Sequence, residues 1–170
     1  MKTIADLHIH SRFSMATSKE GTPENLDFWA RKKGISLIGT GDFTHPVWRE
    51  ELKERLVTEG NGLYHLRDEY VKEESRKFPG EGTHFVVSGE ISSIYKKNGK
   101  TRKVHNVILL PGLEAADAMA QRLEKIGNIH SDGRPILGLD SHDLLEMMLD
   151  VCPEAVSYTH LRAHETRSNL

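Results

Sequence analysis

The sequence contains a single cysteine, Cys152, so the chain cannot form an internal disulfide. Stable disulfides belong mainly to oxidising compartments, and their exclusion favours a reducing setting. No apolar run approaches the roughly 18 residues that a membrane-spanning helix needs. The polar segment Met1–Asp6 is also unlike a signal peptide. We therefore expect a cytoplasmic protein without membrane association.

A strong charge of one sign is missing as well. The chain has 23 lysines and arginines against 25 aspartates and glutamates, for a formal net charge of −2. This balance excludes a protein that binds nucleic acid through its overall field, so a DNA substrate would require a local basic patch. The sequence also lacks a glycine-rich phosphate loop and any internal repeat. Its 170 residues suffice for one domain with one hydrophobic core.

Short apolar runs separated by helical patterns predict an α/β fold. Thr3–Ile9 and Ile35–Ile38 are predicted strands. Between them, Thr22 caps a helix that begins at Pro23 and ends at Gly34. The helix is predicted to turn three side chains inward: Leu26, Trp29 and Ala30.

The rest of the chain continues this alternation. After an irregular segment between residues 60 and 82, a strand over His84–Ser88 leads into a hairpin. The hairpin strands are Ile91–Tyr95 and Val104–Leu110, and Asn98-Gly99 is a strong signal for a two-residue turn between them. Three further helices are predicted: Pro46 to about Val57, Leu113–Ile126, and Ser141–Leu149 with Ser141 as its cap.

Two histidines lie one residue apart in the segment ADLHIHSRFS. Alternate residues of a strand share a face, so Asp6, His8 and His10 are predicted to point the same way. Two imidazoles on one face can bind one metal ion, and Asp6 is then suited to orient a ligating ring. The alternative is a pair of partly exposed polar residues on an edge strand.

Three further segments carry side chains that can bind metal. TGDFTHP contributes Asp42 and His45, SGEISS contributes Glu90, and KVHNVILLP contributes His105. Each also has an ordinary explanation: a carboxylate that caps a helix, a surface glutamate, or a buried histidine bonded to a backbone carbonyl. Asp42, His45 and Glu90 follow predicted strands directly, where α/β folds place functional groups, and this position favours a metal site.

A basic cluster lies in the segment KKNGKTRK at the predicted hairpin turn. Either this is a solvated hairpin tip, or it contacts the phosphate backbone of DNA beside an active site. The candidate DNA-binding residues are Lys96, Lys97, Lys100, Arg102 and Lys103.

These segments together resemble the first half of a PHP domain, a family of metal-dependent phosphoesterases. Four blocks carry the resemblance in the same order: ADLHIHSRFSMATS, GTGDFTHPVW, GEISSIYKKNGKTRKVHNVILLP and SDGRPILGLDSHDLLEM. They are most similar to the endonuclease Q group of PHP nucleases. The resemblance implies an incomplete PHP-type distorted (β/α)7 barrel, with two to three divalent ions in the complete domain, zinc or manganese.

The resemblance also implies a role for each candidate ligand. His8 and His10 would bind the first ion, Glu90 would bridge the first and second, and His105 would bind the second. The candidates for a third ion are Asp42 and, more weakly, His45. One departure is visible, because many PHP domains have an aspartate about where this chain has Met15.

Endonuclease Q enzymes cut DNA on the 5′ side of deaminated bases and at abasic sites, in DNA repair. The resemblance therefore implies a metal-dependent endonuclease with damaged DNA as its partner, and a metal-bound hydroxide as the nucleophile. Three alternatives stay open: a PHP phosphoesterase for small phosphate esters, a non-catalytic metal-binding fragment, and an amidohydrolase-like enzyme.

The resemblance ends near Val156. The segment SYTHLRAHETRSNL, residues 157–170, resembles a translated adapter sequence instead. We therefore expect residues 1–156 to be the N-terminal part of a PHP domain and residues 157–170 to be a non-native tail. Whether such a chain is an active enzyme by itself is not decided by the sequence.

Overall fold

The computed structural model describes residues 3–80 and 82–160. Within this part of the chain there are four α-helices and two single-turn 3-10 helices, and none of them is long and apolar enough to cross a membrane. The α-helices are α1 (Pro23–Lys33), α2 (Pro46–Arg55), α3 (Leu113–Glu124) and α4 (Ser141–Val151). The strands are β1 (Ala5–Asp6), β2 (Leu37–Gly39), β3 (Leu56–Thr58), β4 (Leu63–Leu66), β5 (His84–Lys97), β6 (Lys100–Leu110), β7 (Ile136–Leu137) and β8 (Val156–His160).

The long strand β5 connects the two parts of a curled mixed sheet. Its first three residues pair parallel with β2 and antiparallel with β4. The remainder pairs antiparallel with β6 along residues 87–97, and parallel with the short β7. β1 extends the sheet beyond β2, β3 beyond β4, and β8 beyond β6. The sheet curls into a half barrel, which confirms the prediction of an incomplete distorted α/β barrel.

Helix α1 has the predicted ends. The Thr22 hydroxyl accepts a hydrogen bond from the amide of Asn25 at 3.4 Å, and Pro23 takes the first helical position. Gly34 ends the helix in the left-handed conformation, with φ 71°. The local sequence therefore determines both ends of this helix.

The inward face of α1 was predicted incorrectly at one position. Trp29 is 49% exposed. The buried positions are Pro23, Asp27 and Ala30, whose spacing of four and three residues defines the inward stripe. This stripe is rotated away from Trp29, because the buried Asp27 takes an inward position and forms an ion pair with Arg31 at 2.8 Å.

The remaining elements differ from the predictions mainly in their lengths. The predicted turn is present, with φ 53° at Asn98 and 72° at Gly99, but β5 continues without a break from His84. The β3–β4 hairpin was missed, because its strands are only three and four residues long. The cap of α4 is Asp140, whose carboxylate accepts from the amide of His142 at 3.0 Å, so the prediction of Ser141 is wrong.

Strand β8 begins at the predicted end of the family resemblance. Its five residues pair with β6 in a regular antiparallel register from Val156 to His160. The rest of the predicted tail, residues 161–170, lies outside the described residues.

The buried core holds the loop after β2 against the segment that follows β1. Trp48 is fully buried, and its indole nitrogen donates to the carbonyl of Gly41 at 2.9 Å. Gly41 has a φ of 67°, and a Cβ there would lie 2.5 Å from the carbonyl oxygen of Ile9. This close approach requires glycine, and it brings the TGDFTHP loop next to His10.

Replacing Trp48 by Phe should leave the buried Gly41 carbonyl without its donor. We expect the free energy of unfolding to fall by about 1–3 kcal/mol, as measured by urea denaturation. The control is Val47→Ala at the adjacent, 55% exposed position, which should change stability little. An equal fall in stability for the two variants would contradict this role of the indole hydrogen bond.

Candidate metal centre

Glu90 on β5 is the meeting point of three predicted ligands. Its side chain is 1% exposed, and Oε2 lies 2.7 Å from Nε2 of His8 and 3.4 Å from Nε2 of His10. The other oxygen, Oε1, accepts a hydrogen bond from Nδ1 of His105. The structure thus brings together the four residues of the predicted two-ion site. One carboxylate oxygen of Glu90 faces His8 and His10, and the other faces His105.

Strand register explains why Glu90 and His105 meet. Glu90 pairs directly with Val107, and His105 pairs with Ser92. Glu90 and His105 are therefore diagonal neighbours on one face of an antiparallel pair, within reach of each other. His8 and His10 arrive differently, because β1 ends at Asp6 and the two histidines lie on the irregular segment that follows it.

Asp42 orients one of these histidines. It is fully buried, and its Oδ1 lies 3.0 Å from Nδ1 of His10. Its Oδ2 accepts hydrogen bonds from the amide and the hydroxyl of Ser11, at 2.7 and 2.6 Å. Gly133 packs against this carboxylate, since a Cβ there would lie 2.4 Å from it. Asp42 therefore fixes the ring of His10 with its Nε2 towards Glu90.

The orienting role predicted for Asp6 does not fit its position. Asp6 is exposed on β1, and within the described residues it forms no hydrogen bond with His8 or His10. The regular alternation on which that prediction relied stops where β1 stops. Asp42, far away in sequence, occupies the place instead.

His45 lies beside the centre rather than within it. Its ring stacks on Phe13 at 4.2 Å between centroids, and its buried Nδ1 has no hydrogen-bond partner among the described residues. Burial is the main reason that the pKa of His45 is lowered, which favours the neutral ring. In the described part of the chain, one potential ligand atom each from His8, His10 and Glu90 lie within 4.8 Å of one another. His45 does not belong to this group.

The electrostatics of the centre favour a bound positive charge. Burial raises the pKa of Glu90, but hydrogen bonds from His10, His8 and His105 outweigh burial and hold the pKa well below its usual range. For His10, burial lowers the pKa, whereas Asp42 and Glu90 raise it to a net value of about 9. A proton on His10 thus balances the buried carboxylates at neutral pH. A divalent cation would supply the same balance.

The donor chemistry also fits a metal ion. Two imidazole nitrogens and one carboxylate oxygen converge within 4.8 Å, and this mixture suits zinc or manganese better than magnesium. Arg134, which the sequence alone did not single out, brings its guanidinium 3.8 Å from Oε1 of Glu90. Its segment, SDGRP, was part of the family resemblance, and that was the one signal that could have identified it.

The basic cluster occupies the end of the β5–β6 ribbon. Lys97 forms an ion pair with Asp140 at 2.7 Å. The other four predicted DNA-binding residues are exposed and have no acidic partner within the described residues: Lys96, Lys100, Arg102 and Lys103. This ribbon also carries Glu90 and His105, so the same pair of strands connects the basic tip with the centre.

Two solved structures resemble this chain. One is the lesion-specific endonuclease PfuEndoQ from Pyrococcus furiosus, with a TM-score of 0.72 and 27% identity over 91% of this chain and 33% of that one. The other is endonuclease Q in complex with a 27-mer duplex substrate that has an abasic lesion at the active site. It has a TM-score of 0.68 and 28% identity over 90% of this chain and 33% of that one.

Sequence comparison agrees with the structural one. No family model matches the chain. Uncharacterized protein MJ0043 from Methanocaldococcus jannaschii is 34% identical over 147 residues, which are 86% of this chain and 15% of that protein. The chain therefore spans about a third of the length of the similar structures and a smaller share of this relative.

Replacing Asp42 by Asn should lower the pKa of His10 from its value of about 9, because the partner that raises this pKa most loses its charge. The pKa is measured by following the imidazole resonance in an NMR titration of the metal-free protein. Glu114→Gln, at an exposed position on α3, is the control. An unchanged pKa for His10 in Asp42→Asn would contradict the arrangement.

The raised pKa also sets a pH dependence of stability. It lies above the ordinary value of 6.5, so the stabilisation from His10 is complete below about pH 6.5 and disappears as the pH rises through about 9. Unfolding of the metal-free chain between pH 6 and 10 should show this decrease, and Asp42→Asn should reduce it. An equal decrease in the wild type and in Asp42→Asn would show that another group causes the pH dependence of stability.

Proposed function

We propose that this chain contributes metal ligands to a PHP-type, metal-dependent endonuclease site that acts on DNA containing deaminated or abasic nucleotides. The observation that carries the proposal is the buried Glu90 carboxylate, which presents one oxygen to His8 and His10 and the other to His105. A carboxylate with two such sides is suited to bridge two ions. Similarity to a lesion-specific endonuclease supports the choice of DNA as substrate.

The ligands divide into two groups around Glu90. His8, His10 and Oε2 of Glu90 would hold one ion, while His105 and Oε1 of Glu90 would contribute to a second. When bound, the ions activate a water molecule and neutralise charge on the scissile phosphate. Asp42 would keep Nε2 of His10 available by holding Nδ1.

Arg134 is proposed to bind the substrate phosphate. Its side chain is 38% exposed and its guanidinium lies 3.8 Å from Glu90, so it can reach an anion at the centre without leaving its position. Guanidinium groups bind phosphate oxygens in pairs, with a geometry that a lysine lacks. The residue therefore adds orientation as well as charge.

The basic tip is proposed to contact the DNA backbone away from the cut. Glu90 and Lys97 are seven positions apart on β5, a span of about 23 Å at roughly 3.3 Å per residue. Base pairs rise about 3.4 Å, so the tip can reach phosphates up to about seven base pairs from the scissile bond. Lys96, Lys100 and Lys103 are exposed and available for this contact.

Glu90→Gln and His8→Ala should each reduce metal affinity at least about 100-fold and abolish cleavage, because each removes a proposed ligand. The purified chain is analysed for bound zinc and manganese, and then tested on duplexes containing uracil or an abasic site. His65→Ala, at an exposed position on β4 outside both groups of metal-competent residues, should behave as the wild type.

Three other results would contradict the proposal in different ways. Cleavage of p-nitrophenyl phosphate but not of DNA would favour a small phosphate ester as substrate. Stoichiometric metal without any hydrolysis would favour a non-catalytic metal-binding role. Equal metal content in wild type and both variants would overturn the ligand assignment.

Replacing Lys96, Lys100 and Lys103 by Ala should weaken DNA binding and make it less sensitive to salt. For every phosphate that the variant no longer neutralises, the slope of log K against log [salt] should fall by about 0.9. Binding is measured by fluorescence anisotropy at several salt concentrations. The matched control removes three lysines elsewhere, Lys33, Lys77 and Lys125, all exposed. Equal slopes in the two triple variants would exclude specific DNA binding by the hairpin tip.

A further inference from the structure

An open cavity of about 230 Å³ adjoins the metal centre. His10 forms part of its wall, so the cavity and the centre share a side chain. Residues from the loop before α1 and from α1 itself complete it. They include Ser18, Glu20, Asn25, Leu26 and Trp29.

Trp29 supplies the aromatic wall of the cavity. It is 49% exposed, although tryptophan usually buries most of its surface. Its edge packs on Phe28, with 5.3 Å between centroids, and the ammonium of Lys32 lies 4.6 Å from the ring centroid. The ring is therefore held in place by neighbours on its own helix while much of its surface stays open.

The cavity wall is fixed to the segment that carries the metal ligands. The amide of Arg12 donates to the carbonyl of Gly21 at 3.1 Å. A Cβ at Gly21 would lie 2.8 Å from the amide nitrogen of Arg12, so the two backbones touch. Asn25, Leu26 and Trp29 are spaced three and four residues apart on one face of α1, and α1 begins directly after this contact.

Polar and cationic groups surround the aromatic wall. The side-chain amide of Asn25 donates to the carboxylate of Glu20 at 3.2 Å, and the ammonium of Lys72 donates to the side-chain oxygen of Asn25. Lys32 and Lys72 thus place two positive charges near the cavity. An exposed ring with flanking cations is the combination that binds single-stranded nucleic acid, where bases stack and phosphates pair with lysine.

We propose that this cavity is a nucleobase subsite, in which Trp29 stacks on a base of the DNA strand whose phosphate lies at the Glu90 cluster. The inference rests on the proposed nuclease function. His10 lies between cavity and centre, so the stacked base belongs to a nucleotide next to the scissile phosphate. Lys32, over the same ring, is placed to meet a neighbouring phosphate.

Tryptophan fluorescence tests the subsite directly. The chain has two tryptophans, and Trp48 is fully buried, so quenching by added DNA reports on Trp29. We expect an unmodified oligothymidylate, added in EDTA so that no cleavage occurs, to quench the wild-type emission. Trp29→Phe should lose this quenching and keep most of the affinity. Trp29→Ala should bind about tenfold more weakly.

Two controls separate base stacking from other causes. An oligomer of the same length without bases should not quench the emission, and it should bind wild type and Trp29→Ala equally. Leu149→Ala, which removes a 42% exposed side chain from α4, should leave oligothymidylate binding unchanged. Quenching by the baseless oligomer, or equal oligothymidylate affinities for wild type and Trp29→Ala, would overturn the subsite.

These outcomes are distinguishable from failure of the nuclease proposal. Absent DNA cleavage together with quenching by oligothymidylate would support the subsite and count against the nuclease. Cleavage of lesion-containing DNA without any quenching would support the nuclease and overturn the subsite.

Discussion

The structure is organised around one buried carboxylate. Glu90 is almost inaccessible to water, and an ionised group there is tolerated only when positive or hydrogen-bonding partners surround it. Three histidines provide these partners, and they come from parts of the chain that only the sheet brings together. β5 places Glu90 at the middle of the sheet, and β6 returns His105 to it. The loop after β2 holds His10 through Asp42.

Local chemistry explains the features that could be predicted from sequence. Thr22, Pro23 and Gly34 fix the ends of α1 by hydrogen bonding and backbone geometry that need no distant partner. Asn98-Gly99 likewise determines its turn. The position of Glu90 after a predicted strand indicated a metal site, but its convergence with His8, His10 and His105 was predictable only through the family resemblance, because residues 8 and 90 share no local pattern.

Features that depend on packing could not be predicted. Trp29 fits a hydrophobic stripe as well as Ala30 does, but α1 buries Asp27 and Ala30 and leaves Trp29 exposed. The orienting role was predicted for Asp6 because strand alternation would place it on one face with His8 and His10, whereas Asp42 was predicted as a metal ligand. Asp42 takes the orienting position because Gly41, in close contact with Ile9, brings the second loop to His10. Long-range contacts of this kind leave no periodic signal in a single sequence.

The charge balance of the centre connects metal binding to proton release. Asp42 and Glu90 hold a proton on His10, with a pKa of about 9. A metal ion that binds Nε2 of His10 must displace that proton, so metal affinity is expected to rise with pH until His10 is neutral. Glu90 stays ionised throughout, because its pKa is far below neutrality. The carboxylates that stabilise the proton in the metal-free chain are thus the groups that would attract the ion.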